Sequence, residues 1–339
     1  MDKITFLFGA GASANALPIV SEIPDRLKFL IDKLDSSILQ LDEKTTFDGL
    51  DTLEPKSKKE YQLMLIGDLF WILEESKRHS SIDTFAKKLT IKHMYSELER
   101  LKIALSIFFI FEQTQKLVDN RYDTFFASII DNSHTFPENI RILSWNYDYQ
   151  FELAYSEYSG KKNISENQTK LNIHQKKGMN LAYNHGFRIY KLNGTTEIFS
   201  QNYYRQYNFI DEICSEITLK TIEDIVRNYA AIITSKNLQS TLSFAWEPEE
   251  KVGKSFLEST IDDVKDTIAL VVIGYSFPFF NREVDRRIIG AMNQLKRVYF
   301  QAPDAEVLKE RFLAIKDDTK NIELVLKKDV GQFLLPNEL

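Results

Sequence analysis

Two glycines stand where a short apolar segment near the N-terminus ends, in a pattern that suits phosphate binding. Phe6–Phe8 is apolar, and Gly9, Ala10, Gly11 and Ser13 follow it closely. A buried strand that runs through such a turn into a helix presents backbone N–H groups to a phosphate or pyrophosphate. Glycine lets the backbone turn sharply and approach a ligand closely, because it has no Cβ atom. The third glycine of the dinucleotide-binding pattern is absent, so this turn equally fits a connection that binds nothing.

Three further apolar segments end in short polar or glycine-containing motifs. The residues that follow them are Asn146 and Asp148 after 140–145, Asn193 and Gly194 after 188–192, and Gly274 and Ser276 after 268–273. In an open parallel sheet, ligands bind outside the carboxyl ends of the strands, so polar residues after four strands can converge on one crevice. Each motif also fits an ordinary turn, because Gly, Asn, Asp and Ser favour turns for local reasons. Asp148 fits a helix cap as well.

The elements that must position these residues belong to an α/β fold. The aliphatic run 268–273 is typical of a strand buried on both faces, and 297–300 and 322–326 resemble closing strands. The stretch 61–118 is low in Gly and Pro and dense in Leu, Ile and Phe, which predicts several packed helices. The polar stretch 159–177 is predicted to be an exposed turn region. Together these patterns predict a Rossmann-like parallel sheet with large helical insertions.

The predicted domain organisation is discontinuous. Residues 1–30 and 136–339 are assigned to the sheet domain, and 31–135 to a helical insertion subdomain. Ser81 is a candidate cap for one helix of that insertion, because serine side chains accept hydrogen bonds from helix N-termini. The pattern of 198–262 is mixed, so this segment is either part of the sheet domain or a further insertion.

Composition excludes several classes of protein. The chain has 339 residues and a formal net charge of −6, which argues against a basic nucleic-acid-binding body, so we expect no direct nucleic-acid binding. Its single cysteine, Cys214, excludes a disulfide framework or a cysteine zinc site within one chain, and we expect no metal. The N-terminus lacks a signal-peptide pattern and no apolar run reaches spanning length. These features predict a cytoplasmic protein that does not contact a membrane.

The four motifs, taken in order, resemble the sirtuin-like NAD-binding domain. The resemblance is to the divergent prokaryotic branch found in anti-phage defence systems, and it spans nearly the whole chain. The segments that carry it are 9–13, 144–148, 191–195 and 274–277, with 81–85, 121–125 and 244–247 typical of the same branch.

The resemblance implies a role for each matching residue. The implied NAD-binding set is Gly9, Ala10, Gly11, Ser13, Pro18, Gly274 and Ser276. The glycine turn would hold the pyrophosphate, and the loop of Gly274 would contact a phosphate and the adenosine ribose. Asn146 and Asp148 would face the nicotinamide and its ribose.

One position departs from the family. The family's catalytic histidine, a general base acting on ribose, aligns with Asn193. Asparagine has no usable pKa near neutrality, so it cannot replace an imidazole in proton transfer. Three explanations stay open: His185 supplies the base, the sequence carries an engineered inactivating change, or the protein is a weak hydrolase or an NAD-binding pseudoenzyme. The candidate catalytic residues are Asn146, Asp148, Asn193 and His185.

The function that the resemblance implies is hydrolysis of NAD. NAD is then the substrate, nicotinamide and ADP-ribose are the products, and the protein is an effector of anti-phage defence by NAD depletion. Protein deacylation is disfavoured, because this chain cannot build the four-cysteine zinc module of deacetylating sirtuins. The alternative is a catalytically weak or inactive regulatory subunit that binds NAD or ADP-ribose, which Asn193 favours.

Other expectations concern cofactor chemistry and assembly. A dehydrogenase fits less well, because the acidic ribose-binding residue expected about 20 residues after the glycines has no clear candidate in a second strand. By resemblance we expect a homo-oligomer, with a HerA-type ATPase or a short argonaute module as a possible partner. The sequence identifies neither the activating trigger nor that partner.

Overall fold

The chain forms two compact units. The computed structural model describes residues 2–37, 45–115, 118–177, 186–200, 205–207, 217–249 and 254–339. The first unit comprises 1–15, 118–194 and 243–339, and the second comprises 16–117 and 195–242. The segment 31–135 assigned to a helical insertion therefore has residues in both units, since 118–135 belong to the first. The segment 198–262 is likewise divided, after residue 242.

The described residues contain ten strands and eleven α-helices. The strands are β1 Lys3–Phe8, β2 Ile140–Ser144, β3 Ile173–Gln175, β4 Arg188–Lys191, β5 Ile198–Ser200, β6 Arg205–Tyr207, β7 Leu238–Ser240, β8 Thr267–Ile273, β9 Arg297–Gln301 and β10 Glu323–Lys327. The helices are α1 Ile23–Ser37, α2 Lys58–Arg78, α3 Ile82–Ile91, α4 Tyr95–Gln115, α5 Asn120–Ile129, α6 Gln150–Ser159, α7 Ile164–Lys170, α8 Leu219–Thr234, α9 Phe256–Val264, α10 Arg282–Gly290 and α11 Ala305–Leu313.

The first unit is built on a sheet of seven strands in the order β10-β9-β8-β1-β2-β4-β3. Every neighbouring pair in this sheet is parallel, and β1 lies between β2 and β8, with Phe8 opposite both Ser144 and Ile273. The predicted Rossmann-like α/β fold is confirmed. The chain leaves β1 to build one half of the sheet and later returns through β8 to build the other. The topological switch point of the sheet therefore lies between β1 and β8, and ligands of open parallel sheets bind outside the carboxyl ends of the strands at such a point.

Both faces of this sheet are buried, which explains why its strands are almost continuously apolar. Phe6 and Phe8 point to one face, where they pack with Phe125 and Phe151. The intervening Leu7 points to the other face, within a separate cluster that includes residues of α9, α10 and α11. The alternation follows from the two-residue period of a strand.

The segment 159–177 is not the exposed turn region that its composition suggested. It contains helix α7, capped by the Asn163 side chain, which accepts a hydrogen bond from the Glu166 amide. It also contains strand β3, whose three residues are all buried. Part of the polar composition of this segment comes from His174 and Gln175, which are buried at the edge of the sheet. Composition alone does not distinguish buried polar residues from exposed ones.

The second unit is mainly helical. Helices α1, α2, α4 and α8 pack together, and β5, β6 and β7 form a small antiparallel sheet. The expected helix start at Ser81 is confirmed, because its side chain accepts a hydrogen bond from the Thr84 amide. Among the described helices, none is sufficiently long and apolar to span a membrane.

Candidate active site

The segments that follow β1, β2, β4 and β8 contact one another at the carboxyl end of the seven-stranded sheet. We call this set, residues 9–13, 145–148, 192–194 and 274–277, the carboxyl edge. The Asn146 Nδ2 atom donates to the Gly9 carbonyl at 3.0 Å, and the Asn193 Nδ2 atom donates to the Trp145 carbonyl at 3.1 Å. The Gly11 amide donates to the Gly274 carbonyl at 3.0 Å. The four motifs that the sequence singled out are therefore brought together.

Gly9 and Gly274 are required by contact between two loops. A Cβ atom on Gly9 would lie 2.6 Å from the Tyr275 Cα atom, which is closer than real Cβ contacts allow. A Cβ atom on Gly274 would lie 2.4 Å from the Ala12 nitrogen, and Gly274 also has a φ of +59°. Both glycines thus allow the loop after β1 to pack directly on the loop after β8. Sequence reasoning assigned this close approach to a ligand instead.

The backbone N–H groups of the glycine turn already have partners within the protein. The amides of Gly9 and Gly11 donate to the carbonyls of Ile273 and Gly274, and the Ala12 amide donates to the Gly9 carbonyl. The turn continues as a short 3₁₀ helix over Ala10–Ser13 rather than as an α-helix. The expected row of unoccupied N–H groups is therefore not formed by these three amides. Ala10 is the exposed residue of the turn.

Asp148 lies at the end of a chain of buried hydrogen bonds. The Ser13 hydroxyl donates to Asp148 Oδ2 at 2.7 Å, and therefore accepts from the Tyr122 hydroxyl at 2.8 Å and from Asn146 Nδ2 at 3.1 Å. One donor and two acceptor positions are all that a serine hydroxyl offers, so Ser13 is fully used. Asp148 Oδ1 accepts from the Gln150 amide, which begins α6. A carboxylate offers about four acceptor positions, so further positions remain for a ligand.

Tyr122, which sequence reasoning did not place in the site, keeps its proton. Complete burial raises the pKa of this phenol well above its ordinary value, and the charge of Asp148 raises it further. The hydroxyl is therefore a donor at neutral pH. Its ring packs against Phe8 and Phe151, so the donor is fixed by the core of the sheet.

A buried cation lies on the backbone side of Asp148. The Lys191 Nζ atom donates to the Asp148 carbonyl at 2.6 Å and lies 3.5 Å from Glu152 Oε2. Both Lys191 and Glu152 are completely buried. This ion pair fastens the end of β4 to the start of α6, and it holds the backbone of Asp148 between them.

Asn193 occupies a buried position beside Trp145 and Ser243. Its own carbonyl accepts from the Ser243 amide at 2.8 Å, and its side-chain Nδ2 atom is bound to Trp145. Its side-chain Oδ1 atom is buried and has no hydrogen-bond partner among the residues that the structure describes. An unpartnered buried oxygen costs free energy unless a ligand or water donates to it. Asn193 therefore offers an acceptor, not a base.

Arg121 binds the backbone carbonyls of the glycine turn. Its Nη2 atom donates to the carbonyls of Ala12 and Gly11 at 2.9 and 3.4 Å, and its guanidinium pairs with Asp119 at 2.6 Å. The ring of Phe333 lies 5.1 Å from the guanidinium carbon. The sequence marked 121–125 only as part of a resemblance. The role of Arg121 depends on contacts with residues more than a hundred positions away in the sequence.

Aromatic side chains connect the loops after β2 and β8. The rings of Trp145 and Tyr275 are stacked at 5.9 Å, and the Tyr275 hydroxyl donates to Asp285 Oδ2 at 2.8 Å. Asn281 Nδ2 donates to the same hydroxyl at 3.0 Å. Burial raises the pKa of Asp285 to about 8, and the hydrogen bond from Tyr275 offsets only part of that rise. Phe277, with a φ of +49°, adds a strained residue to this loop.

The remaining candidate residues have different positions. Ser276 is exposed, and its carbonyl accepts from Arg311 at 2.5 Å. Pro18 belongs to the second unit, so it is described apart from the carboxyl edge. His185 lies outside the described residues.

The opposite end of the sheet carries a different cluster, which we call the amino edge. It consists of Lys3, Arg141, Arg188, Tyr190 and Asp263. The Asp263 carboxylate accepts from Lys3 at 3.1 Å, Arg141 at 2.6 Å, Arg188 at 2.9 Å and Tyr190 at 2.9 Å. Burial raises the pKa of Asp263. The hydrogen bond and charge of Arg141, together with the charges of Arg188 and Lys3, outweigh this effect and lower the pKa to about 2. This carboxylate is therefore fully compensated.

Compared with known proteins, the chain matches no family model and no curated protein.

Proposed function

We propose that this protein hydrolyses NAD at the nicotinamide–ribose bond, giving nicotinamide and ADP-ribose. The observation that carries the proposal is the convergence of the loops after β1, β2, β4 and β8 at the carboxyl end of the sheet, beside the switch point between β1 and β8. In an open parallel sheet, dinucleotides bind at the switch point. The resemblance of those four loops to the sirtuin-like pattern specifies NAD as the dinucleotide. Depletion of NAD would then serve anti-phage defence.

The reaction needs a group that stabilises positive charge on ribose, and Asp148 is the candidate. The nicotinamide leaves with the electron pair of the C1′–N bond, and a water oxygen forms the new bond to C1′. One proton of that water is released to solvent. The transition state resembles a ribosyl cation, so a carboxylate fixed beside it accelerates the reaction. Ser13, Tyr122 and Lys191 hold Asp148 in one geometry.

The two asparagines are candidates for holding the ribose and the water. Both N–H groups of Asn146 are used by Gly9 and Ser13, which leaves its carbonyl oxygen to accept from a water or a ribose hydroxyl. The unpartnered Oδ1 atom of Asn193 can accept from a second hydroxyl. Neither amide removes a proton, so the proposed enzyme acts by positioning and electrostatics.

The experiment is to incubate the purified full chain with NAD and quantify nicotinamide and ADP-ribose. Replacing Asn193 with histidine restores a group that can act as a base, so Asn193→His is expected to raise turnover by about 10²–10⁴-fold. The matched control is Asn293→His, which changes an exposed asparagine that precedes β9, away from the carboxyl edge. A chain that neither binds nor cleaves NAD, with or without the new histidine, contradicts the proposal.

A second candidate function is a regulatory subunit that binds NAD or ADP-ribose without cleaving it. The observation in its favour is Asn193, which is buried and bound to Trp145 at the position that the family gives to its base. This function predicts saturable NAD binding without turnover in both the wild type and Asn193→His.

A further inference from the structure

Asp285 is a buried acid that lacks a compensating charge. It lies on α10 with 2% of its surface exposed, and it forms no ion pair with any residue that the structure describes. The groups presented to it are the Tyr275 hydroxyl from the loop after β8 and the Trp145 indole from the loop after β2. The charged residues of its own helix, such as Glu283 and Arg286, do not contribute to its ionisation. A buried acid without a compensating charge is a candidate for a role in a functional site.

The contacts of Asp285 lead directly into the carboxyl edge. Its carboxyl group accepts from the Tyr275 hydroxyl at 2.8 Å, and the Tyr275 ring stacks on Trp145 at 5.9 Å. The Tyr275 backbone is the surface against which Gly9 packs. Trp145 directly precedes Asn146, and its carbonyl holds Asn193. One hydrogen bond thus holds the Tyr275 side chain, whose ring stacks on Trp145 and whose backbone packs against Gly9.

We propose that Asp285 is a positioning residue for the carboxyl edge, acting through the Tyr275 hydroxyl on the Trp145 ring and on the loop that packs against Gly9. The protonated acid accepts from Tyr275 without placing a buried charge beside the substrate. Ionisation would place an unpaired buried charge next to the Tyr275–Trp145 pair and change the electrostatic environment of the Trp145 ring. The functional part of the inference rests on the proposed binding of NAD; the positioning of Trp145 does not.

The test uses a full-length chain in which Trp145 is the sole tryptophan, made by Trp71→Phe and Trp246→Phe. In this background, Trp145 emission is expected to titrate with a midpoint near the Asp285 pKa of about 8. The conservative Asp285→Asn keeps an acceptor for Tyr275 and is expected to abolish that titration while keeping NAD affinity. Asp285→Leu removes the acceptor, and is expected to shift Trp145 emission at pH 7 and weaken NAD binding about tenfold.

Two results would overturn the inference. One is Trp145 emission and NAD affinity that are both unchanged by Asp285→Leu in a folded chain. The other is a titration near pH 8 that persists in Asp285→Asn. If Asp285→Leu does not fold, Tyr275→Phe removes the same hydrogen bond and keeps the stacked ring. If no variant binds NAD, the proposed function fails, and the emission of Trp145 alone decides the positioning role.

Discussion

Asp263 and Asp285 are carboxyl groups of the same unit, held at opposite ends of one parallel sheet. The Asp263 side chain is 13% exposed and Asp285 is 2% exposed, yet their pKa values move in opposite directions, to about 2 and about 8. Asp263 is surrounded by Lys3, Arg141 and Arg188, whereas Asp285 has the hydroxyl of Tyr275. Burial penalises both carboxylates, and the presence or absence of cations decides which charge state the fold prefers.

The two ends of the sheet differ in whether their buried polar groups are compensated: those of the amino edge stabilise the fold, whereas some of those at the carboxyl edge have no compensating partner. At the amino edge, each oxygen of Asp263 has a donor and the surrounding cations share one anion. At the carboxyl edge, Asp285 is uncompensated, Asn193 Oδ1 has no partner among the described residues, and Phe277 has a positive φ. Perturbed acids, unpartnered polar atoms and backbone strain concentrate at functional sites. The contrast therefore favours the carboxyl edge as the active end.

The largest expected effect comes from breaking the amino edge. Asp263→Ala removes the carboxylate that Lys3, Arg141 and Arg188 share, and is expected to lower the free energy of unfolding by about 3–5 kcal/mol. Urea unfolding at pH 7 measures this. The matched control is Asp266→Ala, since that half-exposed carboxylate lies 4.0 Å from Lys3 and should contribute no more than about 1 kcal/mol. Similar losses in both variants would show that Asp263 is not the centre of the cluster.

A glycine variant distinguishes loop packing from ligand binding at the carboxyl edge. Gly9→Ala places a Cβ atom against the Tyr275 backbone, so we expect a loss of about 3 kcal/mol without any ligand present. The control is Gly290→Ala in α10, where a Cβ atom would meet no atom within 4 Å. If thermal unfolding shows Gly9→Ala to be as stable as the wild type, the glycine is there for the ligand, as the sequence first suggested.

The two acids should give the chain opposite pH slopes. The folded pKa of Asp263 is lowered, so its stabilisation of about 2 kcal/mol is present above about pH 4 and lost as the pH falls toward 2. The folded pKa of Asp285 is raised, so its contribution is complete below about pH 4 and falls as the pH rises toward 8.

The corresponding measurement is urea unfolding from pH 3 to pH 9 in two variants. Asp263→Asn should lose the acid-side slope, and Asp285→Asn should lose the decline on the alkaline side and be more stable than the wild type at pH 8. A decline toward pH 8 that is the same with and without Asp285 would mean that its proton is not held by the fold.

The sheet was predictable from the sequence because its strands carry the pattern locally. The aliphatic run 268–273 became β8, and 140–144 became β2, since residues buried on both faces leave a continuous apolar signal. The short strand Ile173–Gln175 escaped prediction, because an edge strand with buried polar residues reads as a loop.

The site was predictable only in part, for a related reason. Gly9, Asn146, Asn193 and Gly274 stand at strand ends, and strand ends meet at one edge of a parallel sheet. Tyr122 and Asp285 lie on helices, and no local pattern marks a side chain whose partner is distant in sequence or buried with it. The use of the Gly9 and Gly11 amides by neighbouring carbonyls likewise depends on how two loops pack.

The most direct test of the account is calorimetric titration of NAD into three proteins: the wild type, Asp148→Asn at the carboxyl edge and Asp266→Ala near the amino edge. We expect saturable binding to the wild type and to Asp266→Ala, and binding at least about tenfold weaker to Asp148→Asn, whose amide lacks the negative charge. No binding to the wild type, or equal affinity in all three proteins, would contradict the assignment of the carboxyl edge as an NAD site.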